Sequence, residues 1–252
     1  MKNFLLIMAA VLLISCGQSG PSPDKPVNDA PDLIKPVSPV TPISEVGTII
    51  GEVKFVGTPP VVKKFAVNKD NEACGKEKSG EELEVGPNKG IKNAVISVDN
   101  VYGVSVLPKT VVLDQKGCQF NPHVLLVPQG GTVKILNPDG VLHNFHASSS
   151  GNPSFNKAQP KFKKEMEVKF DTPGTFKIKC DIHSWMSGWI VVTGHPFFTI
   201  TDDKGSFRID GVSTGTRVLK VWHESLGEQN IEVKVGLGQE SKVVIEMKLH
   251  KP

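Results

Sequence analysis

Three donor side chains fall within seven residues of this chain. In Cys180-Asp181-Ile182-His183-Ser184-Trp185-Met186, a thiol, an imidazole and a thioether sit at i, i+3 and i+6. A second imidazole, His143, lies 37 residues upstream in His143-Asn144-Phe145-His146. One thiolate, two imidazoles and a weak thioether suit copper in both oxidation states. Soft sulfur favours Cu(I), imidazole serves Cu(I) and Cu(II), and a long thioether contact tunes the balance between them. Taken singly, each residue has a plainer reading as a buried Cys, a surface His or a core Met. Their joint spacing points to a metal.

The elements that must position these donors read as β-strands. Short β-rich runs recur from Thr48–Val56 to Lys242–Lys248 between Gly, Pro, Asn and Asp punctuation, the pattern of all-β sandwiches. One strand matters most. In Phe176-Lys177-Ile178-Lys179-Cys180 the apolar residues and the thiol share one face and both lysines share the other. The inward phase of that strand carries the thiol to the interior end of a sandwich. His183 and Met186 then fall on the loop that follows and must curl around whatever the thiol binds.

The stretch from Val111 to Thr193 resembles a cupredoxin, the blue-copper fold. Phe120-Asn121-Pro122, Val127-Pro128-Gln129-Gly130-Gly131-Thr132-Val133 and Asn137-Pro138-Asp139 lead to His143 in the family's order. The Cys-x2-His-x2-Met loop and the His-Asn-x-His are most similar to those of amicyanins, relatives of plastocyanin. The resemblance implies a mononuclear type 1 copper held by His143, Cys180 and His183, with Met186 as the weak axial ligand. It implies His143 rather than His146 as ligand, with Asn144 hydrogen-bonding across to the ligand loop to fix it. It also suggests the loop residue His183 as the route by which an electron leaves. One departure is plain. That subgroup carries Pro on both sides of the loop histidine, where this chain has Ile182 and Ser184. Proline has no N–H, so a backbone donor is available here to bond the sulfur and alter its potential.

The flanking segments resemble a carboxypeptidase-regulatory-like, or transthyretin-like, sandwich. Thr48–Gly57 and Ile91–Val98 precede the cupredoxin stretch. Thr201-Asp202-Asp203-Lys204-Gly205-Ser206-Phe207 and Gly215–Trp222 follow it, the former being a polar turn between β runs. The fold expected is therefore all-β: a Greek-key cupredoxin sandwich (111–194) inserted into a second sandwich (47–110 and 195–252). A simple tandem with an irregular N-terminal arm is the alternative.

The N-terminus reads as a targeting segment. Lys2 precedes an apolar run of eleven residues, Phe4 to Ile14, too short for an ordinary spanning helix. Leu13-Ile14-Ser15-Cys16 resembles the lipobox of bacterial lipoproteins. That implies removal of residues 1–15, lipidation of Cys16 and stable anchoring by several acyl chains. Gly17, in place of Asp, favours the outer membrane, facing the periplasm. Residues 16–46 hold seven prolines among Ser, Asp, Lys and Thr and read as a disordered tether. Thirty such residues reach roughly 90 Å when extended.

Export places the remaining thiols in an oxidising compartment. Cys74 and Cys118 most simply form a disulfide; free thiols, or a second metal site with His123, are the alternatives. His123 itself reads as a surface residue, and Trp222-His223-Glu224 as an outward-facing strand end. Trp185 and Trp189 flank the donor loop. Packing beneath it is the plainer reading, and an apolar docking patch at Trp185 for a redox partner is the sharper one. A net charge of +3, with no basic tract interleaved with aromatics, gives no footprint for nucleic acid. No nucleophile–base pair, second copper cluster or Gly-rich phosphate loop points to an enzyme. The function expected is electron transfer by a membrane-anchored copper protein to a redox partner protein. A copper carrier or storage protein, and an envelope scaffold with incidental copper, are the rivals.

Overall fold

The computed structural model describes residues 45–99, 101 and 107–249. The leader, the lipobox Cys16 and all but the end of the Pro-rich segment lie outside the described residues. The first part of the chain forms β1 (Val46–Phe55), β2 (Lys64–Ala66), the single turn α1 (Asn71–Cys74), β3 (Glu77–Ser79) and β4 (Val95–Val98). The middle forms β5 (Thr110–Asp114), β6 (Val124–Pro128), β7 (Gly131–Leu136), β8 (His143–Ser149), β9 (Asn152–Gln159), β10 (Glu165–Phe170), β11 (Gly174–Lys179) and β12 (Ser187–Thr193). The last part forms β13 (Phe198–Ile200), β14 (Ser206–Ser213), β15 (Gly215–His223), β16 (Gly227–Val235) and β17 (Glu240–Met247).

The middle strands make two sheets, β10-β7-β5 and β6-β12-β11-β8-β9. Alternation drives both. In β10, Met166, Val168 and Phe170 are buried while Glu165, Glu167 and Lys169 face water. In β11, Phe176 and Ile178 are buried while Lys177 and Lys179 are exposed. The inner faces meet in one core that includes Phe120, Phe145, Phe170, Ile135 and Ile178. Burying each of these side chains contributes about 1.5–3 kcal/mol. Phe170 and Phe176 also stack edge to face with centroids 5.1 Å apart.

The first and last parts of the chain combine in two further sheets, β14-β1-β17 and β13-β4-β15-β16. They enclose a second core around Ile49, Val53, Ile96, Leu219, Val221 and Ile245. A third, smaller cluster joins the two halves. Val95 of β4 packs with Val124 of β6 and Val191 of β12, and Trp189 meets Trp222 edge to face at 5.0 Å.

One segment departs from the expected boundaries. Residues 64–79, expected in the second sandwich, form a β2–β3 arm with α1 at its tip. This arm packs on the middle core through Val67 and Cys74, with Phe65 and Ala73 beside them. Cys74 and Cys118 are joined in a disulfide. By chain entropy, a bridge at a sequence separation of 44 residues stabilises by about 2–4 kcal/mol.

Two histidines expected outside are buried where the halves meet. His123 pairs through Nε2 with Glu224, and its Nδ1 lies 3.9 Å from Glu81. Its partners are thus carboxylates, with Cys118 already engaged in the disulfide. Burial alone would lower the His123 pKa, but Glu224, then Glu81 and Glu84, outweigh it and raise it. Neighbouring His223 is held neutral. Its Nδ1 accepts the Ser225 N–H at 3.2 Å, and burial pushes its pKa down to about 4, against the pull of Glu224. Between its ordinary value of 6.5 and about 4, the unfolded chain binds a proton at His223 that the folded chain does not. Stability is therefore lost as pH falls through that window, with a slope approaching about 1.4 kcal/mol per unit. Urea unfolding of wild type and His223→Gln across this range should show the difference between them shrink as pH falls. A constant difference would refute the assignment.

Candidate metal centre

β8 and the end of β11 lie side by side, pairing Lys179 with His146, Ile178 with Ala147 and Lys177 with Ser148. His143 opens β8 on its inner face, fully buried, and Cys180 leaves β11 buried at 3% exposure. The loop beyond Cys180 closes on itself: Met186 N–H donates to the His183 carbonyl at 2.9 Å, and Cys180 N–H to the Met186 carbonyl at 3.0 Å. His183 and Met186 are thereby held inside, exposed 0% and 1%.

The His143, Cys180 and His183 donor atoms lie within 4.8 Å of one another, all buried. The two Nδ1 atoms are 3.1 Å apart, and Cys180 Sγ is 3.6 Å from His183 Nδ1. The far nitrogens face carboxylates: His143 Nε2 lies 3.0 Å from Asp139 Oδ2, and His183 Nε2 lies 2.9 Å from Asp70 Oδ2. A carboxylate accepts, so each Nε2 carries the proton and each Nδ1 turns toward the sulfur. Two bare Nδ1 lone pairs at that separation repel, so a cation belongs among them. Burial alone would raise the Cys180 pKa. The His143 and His183 rings beside the sulfur, with the Asn144 and Ile182 backbone N–H groups, instead bring it down to about 6. The thiolate is the form that ligates metal. The donors fit a copper ion.

Ile182 supplies the backbone donor that a proline would lack. The Asn144 N–H adds a second donor to the sulfur at 3.5 Å. The Asn144 side chain spans the two ligand segments, accepting the Asp181 N–H and donating to Asn156 Oδ1 at 2.7 Å and Asp181 Oδ2 at 3.2 Å. His146 lies outside the donor cluster and pairs with Asp181 at 2.9 Å. Lys179, with His146 and Asn144, holds the Asp181 carboxyl well below the usual carboxylate range.

Two expectations are corrected. Trp185 is buried, 8% exposed, and its indole N–H donates to the Cys118 carbonyl at 3.1 Å. It packs under the loop beside His183, with ring centroids 5.2 Å apart, and offers no docking surface. His183 likewise presents no edge to solvent as an electron exit, because the arm carrying Asp70 and Cys74 covers it. Asp139 and Asp70 were not singled out in the sequence. Asp139 carried a faint signal, four residues before His143. Asp70 carried none, being 113 residues from the ring it holds.

Residues 108–193 match the family model of copper binding proteins of the plastocyanin/azurin family. Solved structures share parts of the chain. The copper-containing nitrite reductase NirK from Thermus scotoductus SA-01 is 25% identical, covering 38% of this chain and 25% of that one, with TM-score 0.32. An amicyanin variant in its Cu(I) form is 21% identical over 39% of this chain and 98% of its own, with TM-score 0.31. A purple cupredoxin from Nitrosopumilus maritimus is 23% identical over 33% of this chain and 99% of its own, with TM-score 0.29. The chain thus spans a quarter of the nitrite reductase. No curated protein matches it. The matched stretch is a copper-binding cupredoxin domain.

Removing the Asn144 side chain should loosen the tie between the ligand segments. Asn144→Ala is expected to lose about 10–100-fold in copper affinity with the fold retained. Competition against a calibrated chelator reads the first, and circular dichroism the second.

Proposed function

We propose that the protein is an electron carrier with one type 1 copper, held by His143, Cys180 and His183 with Met186 as the fourth, weaker ligand. The bound ion supplies one-electron exchange between Cu(I) and Cu(II). The observation that carries this reading is the buried convergence of a thiolate and two Nδ1 atoms whose outer nitrogens are already held by carboxylates. Asn144 and Ile182 hold the sulfur as thiolate, and the closed loop keeps the donors in place in either oxidation state. Burial of all three donors supports retention of the metal over hand-over to another protein.

Adding Cu(II) to the metal-free protein should give an intense blue thiolate charge-transfer band and the matching EPR spectrum. Cys180→Ser should abolish both. A colourless wild-type protein with ordinary square-planar Cu(II) signals would refute the reading.

The cupredoxin domain is read as inserted in the transthyretin-like sandwich, and the whole as lipid-anchored through Cys16 in a bacterial envelope, on the outer membrane and facing the periplasm. The Pro-rich segment would then act as a tether, raising the effective concentration of the domain near a redox partner protein. What supports this is the sequence alone: the short apolar run in register with Cys16, followed by seven prolines. In a bacterial host, wild type should fractionate with membranes and Cys16→Ala with the soluble envelope fraction. Equal partition of the two would overturn the anchor.

A further inference from the structure

We propose that Asp70, carried on the arm that the Cys74–Cys118 disulfide fastens over the donor loop, lowers the reduction potential of the copper by holding the His183 imidazole. The proposal rests on the type 1 reading of the site and goes beyond it. The two ligand histidines are served differently. Asp139 reaches His143 from the same stretch of chain, four residues away. Asp70 reaches His183 across 113 residues, from a segment that belongs to neither ligand loop.

The placement of Asp70 is fixed by local structure. Its carbonyl accepts the N–H groups of Ala73 and Cys74, at 3.0 and 2.9 Å, in the single turn that α1 makes. Asn71 ties that turn back through its side chain to the Val67 carbonyl at 2.9 Å. Cys74 is buried, its Sγ lies 3.8 Å from His183 Nε2, and its disulfide partner Cys118 also receives the Trp185 indole on its carbonyl. The disulfide, the turn and the carboxylate thus form one cap over an imidazole that is 0% exposed.

The chemical effect follows from the proton on Nε2. A carboxylate accepting it draws the ring toward imidazolate and makes Nδ1 a stronger donor. The more highly charged Cu(II) gains more from that donor than Cu(I) does. Asp70 therefore acts through His183 as a positioning residue that favours the oxidised state. Losing it should weaken Cu(II) binding relative to Cu(I).

The experiment compares copper-loaded wild type, Asp70→Asn and Glu72→Gln by visible spectroscopy and spectroelectrochemistry. Asn keeps the shape of Asp70 and removes its charge. Glu72 is an exposed acid of the same helical turn, so its variant reports the loss of one charge nearby. The expected result is a blue band in all three and a raised midpoint potential in Asp70→Asn alone. A tenfold loss of Cu(II) over Cu(I) affinity raises it by about 59 mV. A blue Asp70→Asn protein with the wild-type potential overturns the proposal and leaves the type 1 reading standing. An equal rise in Glu72→Gln also overturns it, because the effect is then one of net charge. A wild type without the blue band overturns the type 1 reading and this proposal with it.

Discussion

Two imidazole nitrogens and a thiolate sulfur, packed together away from water, are held against their own repulsion. Left bare, the lone pairs would drive the segments apart; with a cation among them they attract. Much of the middle sandwich can be read as the frame that keeps this unfavourable arrangement in place. The sheet pairing of β8 with β11 sets the distance between the two ligand segments. The Asn144 side chain bridges them, and the loop from Cys180 to Met186 closes by its own backbone bonds. Carboxylates on the outer nitrogens then decide which way each ring presents its lone pair.

Much of this was legible in the sequence because it is local or periodic. The alternation of Phe176, Ile178 and Cys180 against two lysines gives both the strand and the direction of the thiol. The spacing of Cys180, His183 and Met186 gives the donors. The strand β8 was not legible. His143-Asn144-Phe145-His146 has no run of β-branched residues, and its inward set of His143, Phe145 and Ala147 opens on the ligand instead of an apolar side chain. A strand that uses its inner face for chemistry gives up the hydrophobic signal that would reveal it.

The arm illustrates a different limit. Nothing in Lys64–Ser79 speaks of copper, and its short strands carry little alternation. Its role arises from a disulfide and one hydrogen bond, both of which join residues far apart in sequence. Burial of His123 and His223 belongs with it, since Glu224 comes from one half and His123 from the other. Periodicity describes how a segment packs on its own neighbours. It is silent about which remote segment arrives on top.

The sheet order of the second sandwich has a mechanical consequence. A load applied to the residues before Val46 enters the fold through β1, which lies between β14 and β17 and runs parallel to the latter from Thr48 to Phe55. Pulling β1 along its axis loads a full row of interstrand hydrogen bonds at once, in shear, instead of opening them one after another. Beyond β1 the chain runs on into the arm that carries Asp70 and Cys74, so the strand that takes this load and the cap over His183 belong to one stretch of chain.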